Sequence, residues 1–187
     1  GMTYLHAMSF LHRDLKSLNV LLDNDMRAKV CDLGLARTRA QTMTMGQGTI
    51  PWLAPECFTT GHYTDRCDVY AFGVVVWELV TGRVPYDDVN SFKLVEHILD
   101  GGRLPRPDNA SPIGVRIMES CLAADPLRRP PFAEVVQWLE EASAAHEDLI
   151  SRLPSPPADT ANAADGPPTA HSSATTTARS RDSRDQG

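Results

Sequence analysis

The 187-residue chain carries no excess of positive charge. Its 18 lysines and arginines face 24 acidic residues, a net charge of −6, which argues against a nucleic-acid footprint. Its four cysteines, Cys31, Cys57, Cys67 and Cys121, form no C-x-x-C pair. That lack argues against a zinc site or a disulfide scaffold. It points to a reducing intracellular compartment, with the cytoplasm as the expected location. No signal peptide is visible, and the longest apolar run, Val69 to Trp77, is far too short to span a bilayer. From about Ser151 onward there is no aromatic residue and, apart from Leu153, no large aliphatic one. Such a stretch cannot bury enough surface to offset its ordering entropy. Residues 147–187 are therefore expected to be a disordered tail rich in Ser, Thr, Ala and Pro. Residues 1–146 are long enough for a real core.

The stretch on which the rest hangs is His12-Arg13-Asp14-Leu15-Lys16-Ser17-Leu18-Asn19. Between Asp14 and Asn19 it sets a carboxylate, an ammonium and a carboxamide. Those groups can orient a hydroxyl, neutralise a phosphoryl group and hold a metal. Ahead of it, Tyr4, Leu5, Met8 and Leu11 recur at helical spacing with no N-cap before them. The chain is expected to begin inside a helix, as a fragment would. After it, Val20-Leu21-Leu22 and Ala28-Lys29-Val30-Cys31 flank Asp23-Asn24-Asp25 and predict a β-hairpin. A register with Leu22 opposite Lys29 also sets Asn19 opposite Asp32. Paired strands lie ~4.8 Å apart, so two oxygen-bearing side chains would meet at the open end. Oxygen ligands so placed suit Mg²⁺. Taken alone the hairpin reads as an ordinary one with polar ends; Asp14 and Lys16 beside it favour the metal.

His12-Arg13-Asp14-Leu15 with Asn19 fills every fixed position of H-R-D-L-x-x-x-N and resembles the catalytic loop of protein kinases. Asp32-Leu33-Gly34 is similar to D-F-G, with Leu33 in place of Phe. Residues 35–48 look like an activation loop. Gly48-Thr49-Ile50-Pro51-Trp52-Leu53-Ala54-Pro55-Glu56 is similar to the A-P-E segment that ends it. Asp68-Val69-Tyr70-Ala71-Phe72-Gly73 resembles the central helix of the large lobe. Asp125-Pro126-Leu127-Arg128-Arg129-Pro130-Pro131-Phe132 resembles the signature before its last helix. By these motifs, in order across residues 1–146, the chain is identified as a member of the kinase family. The resemblance is to the C-terminal large lobe of the serine/threonine type, tyrosine-kinase-like group. It implies a mainly α fold with a short β-hairpin, the large helical lobe only.

The resemblance implies roles. Asp14 would accept or orient the proton of a Ser or Thr hydroxyl on a protein substrate. Lys16 would offset charge on the transferring γ-phosphate of ATP, and Asn19 and Asp32 would hold Mg²⁺. Leu21 and Cys31 would border the nucleotide pocket, although the Cys31 thiol reads better as a small buried apolar group. His12 and Leu33 would pack in a spine, and Gly34, the last residue of the D-F-G-like motif, would have a structural or regulatory role. Arg13 would meet a phosphate on the activation loop, at Thr42 or Thr44. Glu56 would pair with Arg129. Asp68 would accept hydrogen bonds from the catalytic-loop backbone, although by sequence it also fits an exposed first helical turn. Lys16, two residues after Asp14, and Thr49 indicate serine/threonine specificity.

The helices follow from pattern. Thr64 to Val80, closed by Gly82, is apolar all round (Val69, Phe72, Val74, Val75, Val76, Trp77, Leu79) and should be buried. Val74-Val75-Val76 fits a strand as well, and only the resemblance decides. Asn90 can cap a helix carrying Phe92, Val95, Ile98 and Leu99. Val115, Met118, Cys121 and Leu122 give another. The last helix, with Pro131 in its first turn, should bury Phe132, Val135, Val136 and Leu139.

The family also uses a Gly-rich loop, a strand lysine and its helix glutamate partner upstream of the catalytic loop. Eleven residues precede His12 and supply none of them. The chain by itself is therefore expected not to phosphorylate a substrate. The alternative is a non-catalytic lobe or pseudokinase-like module that binds proteins through an exposed apolar face. A small-molecule phosphotransferase ranks last, because Arg13 and the A-P-E segment are present.

Overall fold

In the computed structural model, residues 1–38, 48–108 and 110–151 are described. The elements run α1 (Met2–Ala7), β1 (Phe10–Leu11), β2 (Val20–Leu22), β3 (Ala28–Val30) and β4 (Arg37–Thr38). Then come α2 (Pro55–Thr59), α3 (Asp65–Thr81), α4 (Leu94–Leu99), α5 (Pro112–Cys121) and α6 (Phe132–Ser151). This is a mostly helical large-lobe fold with a short antiparallel hairpin, β2–β3. A second short antiparallel pair, β1–β4, sets Phe10 against Thr38 and Leu11 against Arg37. No helix among the described residues is long and apolar enough to cross a membrane. Thr42 and Thr44, and residues 152–187 of the expected 147–187 tail, lie outside the described residues.

Helix α3 is the axis. Thr64 caps its start, its side chain accepting from the Arg66 N–H, and Gly82 closes it. Val69, Val74, Val75 and Trp77 are buried, as an all-round apolar helix requires. Leu79 is the exception, exposed on a face no described element covers. Helix α5 lies so close to α3 that a Cβ on Gly73 would come within 2.9 Å of the Cys121 Cβ. Only glycine permits that approach. The Trp77 indole N–H donates to the Pro105 carbonyl at 2.7 Å, tying the α4–α5 connection to the same helix.

Helix α1 is shorter than its periodicity predicts. It ends at Ala7, and Ser9 turns the chain with φ 60°. Leu11 is fully buried, but from strand β1, while Tyr4 and Met8 face solvent. In the α4 region the Asn90 side chain accepts from the Phe92 N–H and caps a single turn, Ser91–Lys93. The buried pair is Leu94 and Ile98, one helical turn apart; Phe92 and Leu99 are exposed. In α6 the buried residues are Phe132, Val135 and Trp138, whereas Val136 and Leu139 are exposed. The i, i+3, i+6 stripe places Trp138, not Leu139, against the core.

The hairpin register differs from expectation by one residue. Val20 pairs with Val30, Leu21 with Lys29 and Leu22 with Ala28. The turn sets this. The Asp23 carboxylate accepts from the N–H groups of Asp25 and Arg27, the Met26 N–H donates to the Asp23 carbonyl, and Asp23 N–H donates to the Arg27 carbonyl. That leaves a three-residue loop whose last member, Met26, takes φ 59°. Such loops normally place glycine or asparagine there. A methionine at that position hides the turn from sequence reading.

Candidate active site

The catalytic-loop segment is suspended from α3. Asp68 is fully buried and accepts from the N–H groups of His12 and Arg13, both at 2.9 Å. The Tyr63 hydroxyl (3.1 Å) and His6 Nε2 (2.8 Å) complete its shell. This excludes the exposed first-turn reading of Asp68, because a buried carboxylate must be fully hydrogen-bonded. Burial, and then the charge of Asp68, push the Tyr63 phenol well above its ordinary range, so it remains a donor. Arg13 takes φ 69°, and the two bonds to Asp68 hold that left-handed turn. The Arg13 guanidinium is buried 5.8 Å from the centre of the Tyr63 ring.

His12 is fully buried, and its bonds fix one neutral tautomer. Its Nε2 lies 3.0 Å from the Cys31 carbonyl, which can only accept, so Nε2 carries the proton. Its Nδ1 accepts from the Asp14 N–H at 3.3 Å. With both nitrogens engaged by backbone, His12 positions the loop and has no nitrogen left to act as a base.

Asp14 stands at the centre of a polar cluster. Its Oδ1 accepts from the Thr49 N–H (3.0 Å) and hydroxyl (2.7 Å). Its Oδ2 lies 2.9 Å from Lys16 Nζ and 3.3 Å from Asn19 Nδ2. Lys16 Nζ also donates to Thr49 Oγ1 at 2.8 Å. Burial pushes the Asp14 carboxyl up, but the bonds from Thr49 and Lys16 outweigh it and hold its pKa below the ordinary value. Gly48 lets the Thr49 segment in: a Cβ there would meet the Arg13 carbonyl at 3.0 Å and the Leu53 side chain at 2.9 Å.

Asn19 is buried. Its Nδ2 donates to the Asp14 carbonyl at 2.7 Å, and its own carbonyl accepts from the Cys31 N–H at 2.9 Å. The observed register therefore sets Cys31, not Asp32, beside Asn19. Asp32 lies one residue further, exposed, with φ 60° and its Oδ1 accepting from the Gly34 N–H at 3.3 Å. A single turn, Leu33–Leu35, follows, and Leu33 is exposed. Leu21 is exposed on β2 and Cys31 is half-buried. As donors, the Asn19 amide oxygen and the Asp32 carboxylate fit Mg²⁺. That ion takes one or two protein oxygens and fills its other positions with water or phosphate. No cluster of three or more His, Cys, Asp or Glu among the described residues offers a rival metal site.

Two further anchors frame the site. Arg129, fully buried, forms a two-pronged pair with Glu56, with Nη2 to Oε2 at 2.9 Å. It also donates to the carbonyls of Ala123 and Arg66 and stacks 4.9 Å from the Tyr70 ring. The other anchor lies outside the motifs. Glu78 on α3 accepts from the Ser17 hydroxyl and the Trp52 indole, both at 2.8 Å. One carboxylate thus joins the catalytic loop to the segment carrying Thr49. The signal was one acidic residue in an otherwise apolar stretch, Val69 to Val80. His6, which bonds Asp68 from α1, gave no such signal.

A family model described as protein tyrosine and serine/threonine kinase matches residues 1–139. The chain belongs to that kinase family. Its described residues are the helical large lobe of a serine/threonine-kinase-like domain. It is 40% identical over 144 residues to a probable serine/threonine-protein kinase of Dictyostelium discoideum, covering 75% of this chain and 16% of that protein. It is 38% identical over 144 residues to a serine/threonine-protein kinase of Arabidopsis thaliana, covering 75% of this chain and 25% of that one. A second Dictyostelium kinase is 40% identical over 143 residues, with 75% and 11% covered. The kinase chain thus spans a quarter or less of the length of these relatives.

Proposed function

We propose that the chain is the large-lobe part of a protein kinase that transfers the γ-phosphate of ATP to Ser and Thr hydroxyls of proteins. The observation that carries the reading is the cluster of Asp14, Lys16, Asn19 and Thr49 on one suspended loop. Phosphoryl transfer asks mainly for positioning and charge stabilisation, and these residues offer both. Asp14, ionised through its contacts with Thr49 and Lys16, orients the acceptor hydroxyl and takes up its proton. Lys16 can leave Asp14 for the transferring phosphate, because its stem is flexible and its ammonium makes rotatable bonds. Asn19 and Asp32 would hold Mg²⁺, which when bound would supply positive charge against that of the phosphates. Leu21 and Cys31 border the nucleotide. Arg13 orders the activation loop once Thr42 or Thr44 is phosphorylated.

The preference for Ser and Thr rests on Lys16 and Thr49, whose contacts shape the acceptor side of Asp14. The relatives are serine/threonine-protein kinases by name. An ATP-dependent enzyme with unpaired thiols suits the cytoplasm. Activity also requires a Gly-rich loop, a strand lysine and its glutamate partner. A protein-binding role without catalysis is favoured by one observation: Leu21, Leu22 and Leu33, close in the chain to Asn19 and Asp32, are exposed apolar side chains. The test is radiolabelled transfer from Mg-ATP to paired peptides by a protein joining residues 1–187 to a kinase small lobe. Label on Ser or Thr is expected. Label on Tyr alone would overturn the specificity, and no label on any peptide would favour the binding role.

A further inference from the structure

Away from the phosphotransfer site, a groove of about 490 Å³ opens between α3, the C-terminal half of α5, the turn Pro126–Arg128 and the start of α6. Four arginines line it: Arg66, Arg116, Arg128 and Arg129. Two have duties in the fold. Arg129 is paired with Glu56, and Arg66 donates to the Arg129 carbonyl at 2.7 Å. The other two are uncommitted. Arg116 stacks 4.1 Å from the centre of the Trp138 ring, and neither it nor Arg128 forms an ion pair or side-chain hydrogen bond among the described residues. Both are exposed. Leu127, on the same rim, is 86% exposed. In a chain of net charge −6, a concave surface with two unpaired guanidinium groups beside apolar side chains is a local reversal of sign.

We infer that this groove docks an acidic segment of a protein partner. Guanidinium forks match carboxylates in two-pronged geometry, which argues for carboxylate-bearing side chains as the ligand. The groove is too large for one small anion, and the exposed Leu127 gives an apolar residue of a peptide a place to lie. Glu134 also lines the groove. A uniform polyanion would be repelled there, whereas a peptide can set a neutral or basic residue against it, so a polypeptide fits better than a nucleic acid. The inference is independent of the proposed phosphotransfer.

The test uses the 187-residue chain and a fluorescein-labelled twelve-residue peptide with four glutamates around two leucines. A second peptide carries Gln in place of each Glu. Anisotropy should show saturable binding of the Glu peptide, weakening as salt screens the charges. The Arg116→Ala/Arg128→Ala variant should bind at least tenfold more weakly while keeping its circular dichroism, since both side chains are exposed. Leu127→Ala should weaken binding less. Four outcomes would overturn the inference: no saturable binding, equal binding of the Gln peptide, unchanged affinity in the folded double variant, or tighter binding of an oligonucleotide. Competition by inorganic phosphate at the same concentration as unlabelled peptide would reduce the groove to an anion site and also overturn it.

Discussion

The surroundings of Asp68 and Arg129 and the rim carrying Asp32 and Leu33 are built by opposite rules. Asp68 and Arg129 are themselves buried, and Asp68 alone takes four donors. At the rim, Asp32 is exposed in a left-handed conformation and Leu33 has no core to enter. Asp14 sits on the boundary, half-buried and held by Thr49, Lys16 and the buried Asn19. The frame fixes geometry, while the rim is left for groups that the frame does not contain. Under the proposed function, a site that admits a nucleotide and a hydroxyl cannot satisfy all of its own polar groups in advance.

The comparison breaks most sharply at Glu56→Ala. It leaves Arg129 buried and unpaired, at a cost of about 3–5 kcal/mol in urea unfolding. A loss under ~1 kcal/mol would mean the frame is not held by that pair. Helix α6 offers the next test. Val135 is buried and Val136 is 40% exposed. Val135→Ala should cost roughly 2 kcal/mol and Val136→Ala about 0.5 kcal/mol or less. Similar losses at both positions would contradict the observed face.

On the rim, Met26→Gly should raise stability by up to ~1 kcal/mol, because a left-handed residue with a side chain carries strain that glycine does not. Destabilisation would argue for the other register. Smallest is the pH effect of Asp14. Its folded pKa lies below the unfolded value. Its contacts therefore add stability above the unfolded pKa of about 4 and lose it as pH falls through the lower folded value. The stability gap between the parent and Asp14→Asn should close on acidification; a gap that widens would show that the carboxylate is not favoured by its neighbours.

Much of this was legible in the sequence, for reasons that differ by element. Helix α3 was readable because Thr64 and Gly82 mark its ends and apolar residues fill it. The clustering of Asp14 with Lys16 and Asn19 was readable because their spacing is short. The hairpin register was not, since Met26 adopts a conformation its side chain does not advertise. Leu11 fitted a helical stripe but is buried from a strand, because Ser9 reverses the chain first. Val136 and Leu139 fit a helical face as well as Trp138 does, and only packing against α5, where Arg116 stacks on Trp138, separates them. The bridge of Ser17, Glu78 and Trp52 joins residues 26 and 61 positions apart, a distance that no local pattern encodes.

Asp14 is proposed to serve chemistry first and folding only slightly. In a protein joining this lobe to a kinase small lobe, Asp14→Asn should lower phosphotransfer to a Ser peptide by roughly a hundredfold or more. Mg-ATP affinity should stay near the parent value, and the unfolding free energy measured on the same sample should fall only by the small amount that the contacts of the carboxylate with Thr49 and Lys16 supply. Undiminished transfer, or a loss that merely follows unfolding, would contradict it.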